Sequence, residues 1–169
     1  MTVSSSQIAM LAARLEDILV AEFRAYGELV TCARQERAHL TNGDVAGLVA
    51  LLEQKEKIVG ELNRLEQRRT TVLLEWDGGP VPTLTELLPK LEAPLAERVS
   101  RLREGILVLV ERERDLARGN RLLATAALER TEALRTFLIN QTDPLEGYRP
   151  PGMHAVPTAT ASLIAERWA

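Results

Sequence analysis

The chain is expected to be all-α: an elongated antiparallel bundle of three long helices, with a short helix between the second and third and an extended C-terminal tail. Two observations carry this expectation. Apolar residues recur three and four residues apart over three long stretches with few helix breakers, the spacing that places them on one helical face. Aromatic residues make up only 4% of the 169 residues. Leu and Ala must therefore fill the interior, which suits helices packed along a seam better than stacked sheets.

The first helix is expected from about Ser6 to His39, with Ile8, Leu11, Leu15, Ile18, Phe23, Tyr26, Leu29 and Ala33 on its apolar face. Ser6 is a natural N-cap, and Gly43 in Thr41-Asn42-Gly43 offers the left-handed conformation that ends a helix. Asp44 should cap the second helix, its carboxylate accepting from amides of the first turn. That helix carries Leu48, Leu51, Leu52, Ile58, Leu62, Leu65 and Val72 and should end near Trp76. Gly47 and Gly60 inside it read as tolerated surface positions.

Asp77-Gly78-Gly79-Pro80-Val81-Pro82 is a firm break. Thr83 to Glu86 has capping-box spacing, so a short helix should follow until Pro89 interferes. The third long helix, with Pro94 in its first turn, carries Leu95, Val99, Leu102, Ile106, Leu109, Glu113, Leu116, Asn120, Leu123 and Ala127 at alternating steps of four and three. It should end near Gln141. A second apolar stripe of Val110, Ala117, Ala124 and Leu138, flanked by Leu107, Leu122 and Leu128, gives this helix two faces to cover.

The division expected is a helical bundle over residues 1–142 and a Pro/Ala-rich tail over 143–169, in which half of the eight prolines fall. At 1.5 Å per residue the helices would span roughly 50, 48 and 70 Å. The third should therefore outrun its partners, leaving apolar side chains around Leu128 to Ile139 for the tail or another protein to cover.

The residues point away from catalysis. Glu36-x-x-His39 has the spacing of a di-iron ligand pair, but such a site needs two of these motifs, and the other histidine, His154, is in the tail. Gly78-Gly79-Pro80 lacks the Lys-Ser/Thr of a phosphate loop. Cys32 has no second cysteine to pair with and reads as a small core residue. No catalytic residue, metal ligand or cofactor site is expected. The net charge of −3, with no basic run, gives no reason to expect nucleic acid. The start of the chain lacks signal-peptide features and no apolar run approaches a membrane span, so membrane insertion is not expected and a cytoplasmic location is. Asn120 in the third seam reads equally as a register-fixing core residue and as an exposed binding residue.

The order of features resembles the FlgN family of flagellar export chaperones. The resemblance runs from roughly Leu15 to Gly152. It rests on the Leu-rich first helix, on Leu40-x-x-Gly43-Asp44-x-x-x-Leu48-x-x-Leu51-x-x-x-Lys55, and on Leu62, Leu65 and Arg68-Arg69. The Thr83–Leu87 short helix, Asn120-x-x-Leu123 and Tyr148-x-x-x-Gly152 complete it. It implies a cytoplasmic chaperone that binds the C-terminal helical segments of hook–filament junction proteins and delivers them to the export gate of the flagellar type III apparatus. It also makes Tyr148 a candidate contact with that gate. The protein-binding residues expected are Asn120, Leu123, Leu128, Leu134, Phe137, Leu138 and Tyr148. The alternative is a coiled-coil scaffold or homo-oligomeric adaptor without client release.

Overall fold

The computed structural model describes residues 5–77 and 81–142. Tyr148, His154 and the whole expected tail over 143–169 lie outside the described residues. Four α-helices occur in the order α1 (Ser5–Asn42), α2 (Val45–Asp77), α3 (Leu84–Leu87) and α4 (Ala93–Thr142), with a 3₁₀ turn at Leu88–Lys90 after α3. No strand occurs among the described residues, so the all-α expectation holds. The chain divides into two compact units, Met1–Glu129 and Arg130–Ala169.

In the first unit, side-chain pairs fix helix directions. Arg14, Glu22 and Glu36 of α1 meet Glu75, Arg69 and Lys55 of α2, so rising numbers meet falling ones and the two helices are antiparallel. Glu16 and Ala33 of α1 meet Arg98 and Asn120 of α4, so these two run parallel. The C-terminal end of α2 and the start of α4 thus lie at the same end of α1, where a short connection suffices.

That connection is itself part of the core. Thr83 and Glu86 form the expected capping box: the Glu86 amide donates to Thr83 Oγ1 at 3.3 Å and the Thr83 amide to Glu86 Oε2 at 2.8 Å. These bonds hold the Glu86 carboxyl below its ordinary pKa. The fixed turn aims Leu87 inward, where it is fully buried with Leu11, Leu15, Leu19, Val72, Trp76 and Val99. A second cluster lies further along α1 and α2, around Ala25, Leu29, Cys32, Leu51, Ile58 and Leu62. Burying such side chains stabilises by roughly 1.5–3 kcal/mol each relative to exposure.

The turn between α1 and α2 follows its sequence. Gly43 has φ +67°, the left-handed conformation expected of it. Asp44 Oδ1 accepts from the Gly47 amide at 2.9 Å, and Asp44 Oδ2 lies 2.8 Å from His39 Nδ1. The Gly47 hydrogen bond and the imidazole together keep the Asp44 carboxyl below its ordinary pKa. Gly47 corrects the surface expectation: a Cβ there would collide with the His39 ring and the Asp44 carboxylate, whereas one at Gly60 would meet nothing.

Two further expectations change. Phe23 and Leu52 fall on the apolar rows but are exposed, at 40% and 57%, although one edge of the Phe23 ring lies against Gly105 of α4. Glu22 is buried, with its carboxylate 3.0 Å from Arg69 Nε; burial pushes its pKa up, against the lowering effect of Arg69. Its position among apolar residues hides this pairing from a periodicity argument.

Candidate functional site

The exposed apolar residues of α4 are the first candidate surface. In the first unit the seam is buried at Val99 and Asn120, half-buried at Leu102, Ile106, Leu109, Leu116 and Leu123, and exposed at Ala127, beside which Leu128 is 72% exposed. In the second unit, described through Thr142, Leu134 and Phe137 are each 57% exposed, and Leu138 and Ile139 also stand largely in solvent. Leu134, Phe137 and Leu138 share the i, i+3, i+4 spacing of one helical face. Such a face is the kind of surface that receives another amphipathic helix.

Asn120 is brought elsewhere. It is 3% exposed, and its Nδ2 donates to the Ala33 carbonyl at 2.7 Å and to Glu36 Oε2 at 2.9 Å. The Nδ2 group is therefore committed inside the chain, a buried position that fits the core reading of this seam residue. Glu36 also receives Lys55 Nζ at 3.0 Å, so the first half of the Glu-x-x-His spacing is engaged in helix packing. Among the described residues no group of three or more His, Cys, Asp and Glu is placed to hold a metal. Cys32 is buried, and burial pushes its thiol pKa up, away from the reactive thiolate. No helix among the described residues is long and apolar enough to cross a membrane.

A second surface was not anticipated from the sequence. Within the first unit, α2 and α4 both pack on α1 but leave a cleft between them, floored by Leu19, Tyr26 and Leu29. Two hollows lie along it, with volumes of about 850 and 410 Å³. Leu52, Val59 and Leu107, all exposed, stand on its walls. The signal available was a second ladder on α2, Val45, Val49, Leu52, Glu56 and Val59, at steps of four and three.

The sequence profile described as FlgN protein matches residues 10–155. The chain belongs to the FlgN family. Comparison with curated proteins and with solved structures found no match. FlgN membership implies a flagellar export chaperone that binds flagellar substrate proteins. The profile spans nearly all of α1 and the whole of α2 to α4, so the cleft and the exposed α4 residues both lie inside the family region.

Proposed function

We propose that this FlgN-family chain works in the cytoplasm, binds the C-terminal helical segments of hook–filament junction proteins, and hands them to the type III export gate. The observation that supports the reading is the exposed Leu134–Phe137 face on the helical part of the second unit. A client segment unfolded in isolation gains a helix when its apolar stripe covers this face. The entropy lost on ordering offsets much of the burial, which keeps affinity modest and release easy. Leu138, on the same face, and Leu123 and Leu128 in the first unit are further candidate contacts. Tyr148, outside the described residues, is assigned to the export gate by family resemblance.

Calorimetric titration of the full chain with a junction-protein C-terminal segment tests this. Binding is expected for the wild type and a loss of at least ten-fold for Leu134→Asp combined with Phe137→Asp. Undiminished binding by that double variant removes the proposed contact face. A stable dimer by light scattering that buries the same face would favour the scaffold alternative.

A further inference from the structure

The cleft between α2 and α4 has an uneven charge that the packing of the first unit leaves uncompensated. On the α4 side, Arg103, Leu107, Val110, Arg114, Ala117 and Arg121 follow one another at steps of four, three, four, three and four. This is a complete heptad-type stripe along about 27 Å of helix. It lies beside the seam that α4 uses against α1, and Leu107, Val110 and Ala117 line the cleft together with Arg103 and Arg121. None of the three arginines forms an ion pair among the described residues.

The opposite wall differs. Two of the cations on α2 that reach the cleft are already neutralised by α1: Arg69 by Glu22 at 3.0 Å and Lys55 by Glu36 at 3.0 Å. Glu66 is the acidic residue left on that wall without an ion pair among the described residues. Tyr26 on the floor feels both walls: burial, Glu22 and Glu66 raise its pKa, while Arg69 and Arg114 lower it. The cleft therefore offers an apolar trough with a cationic edge along α4, in a chain whose net charge is −3.

We infer that this cleft receives an amphipathic helix from a partner protein, one whose apolar stripe is bordered by acidic side chains on the edge that faces Arg103, Arg114 and Arg121 of α4. The occupant lies along α2 and α4 as a fourth helix over α1. Its Leu- or Ile-type residues cover Tyr26, Val59, Leu107 and Val110, and its carboxylates meet guanidinium groups that have no partner within the first unit. Arginine suits the task because its planar fork binds carboxylate in a bidentate manner. Charge of this kind sets orientation and partner choice more than total affinity. The inference rests on the chaperone reading for its partner being a helix, but concerns a different surface from the Leu134–Phe137 face.

The test uses the full chain and two fluorescent peptides with one Leu/Ile stripe, bordered by Glu in one and by Lys in the other. Fluorescence anisotropy should show the Glu peptide binding at least ten-fold more tightly at low salt, with the preference shrinking as salt is added. Arg103→Glu, Arg114→Glu and Arg121→Glu together should reverse the preference, while circular dichroism shows the helices unchanged. Leu134→Asp with Phe137→Asp should leave the preference intact. Equal binding of both peptides, or a preference that survives the charge reversal, overturns the inference. So does a dimer that the Glu peptide fails to dissociate, which would assign the cleft to a second copy of the chain. Junction-segment binding measured in parallel separates the two proposals: its persistence when the peptide preference is absent sinks the cleft alone, and its absence sinks the chaperone reading.

Discussion

Leu15 and Leu134 are the same residue in similar rows of apolar side chains on long helices, yet one is 0% exposed and the other 57%. Leu15 sits where α1, α2, α4 and the α3 turn converge on Leu87 and Trp76. Leu134 belongs to the second unit, where no described residue is buried. Helical periodicity chooses the face; only a neighbour decides whether that face is core or contact surface. Stability should therefore be concentrated in the first unit, and substitutions in the second should register in binding.

The sharpest way to break this contrast is Leu15→Ala. Removing a fully buried leucine leaves a cavity and should cost about 3 kcal/mol or more in chemical denaturation. A cost under about 1 kcal/mol would mean that the site collapses freely and is no tight core. Arg69→Met should follow at about 2–3 kcal/mol, because it strands the buried Glu22 carboxylate. Gly43→Ala should cost about 1 kcal/mol, since φ +67° strains any residue with a Cβ. Leu134→Ala should change stability by less than about 0.5 kcal/mol. Measured on one denaturant scale, these four values should fall in that order.

Glu22 adds a pH signature to the same comparison. Its folded pKa is raised above 4.5, so the folded state holds this proton more tightly than the unfolded chain does. Its ionisation therefore opposes folding, an effect absent below pH 4.5 and complete once the pH has risen through the folded value. The stability of the wild type relative to Glu22→Gln should decline as pH rises through that window. A difference that stays flat would show that Arg69 fully offsets burial, and one that grows with pH that Arg69 outweighs it.

Much of the architecture was legible because it is local. Gly43, Asp44 and the Thr83–Glu86 box act within a few residues of themselves, and all three form the turns and caps expected. The first part of the α4 seam was legible because Leu95, Val99, Leu102 and Ile106 pack into one cluster with α1, α2 and α3. What escaped needed knowledge of distant partners. A Cβ at Gly47 would meet the ring of His39 on another helix, and the buried Glu22 pairs with Arg69, 47 residues later. Phe23 carries the same apolar pattern as its buried neighbours, and its spacing does not mark it as exposed. Asn120 was ambiguous for the opposite reason: an amide at a seam position suits a buried hydrogen bond and an open surface equally, until Ala33 and Glu36 are placed against it. The ladders that wall the α2–α4 cleft are present in the sequence, but its charge imbalance emerges only once Glu22 and Glu36 are placed against the α2 cations.

The central claim is that apolar residues on the helical part of the second unit are a receiving surface for a client helix. Hydrogen exchange of the full chain, with and without a saturating junction-protein C-terminal segment, tests it most directly. Amides over residues 130–142 should exchange at least ten-fold more slowly in the complex, because a covered face resists local opening. Binding that leaves exchange over 130–142 unchanged would contradict the account.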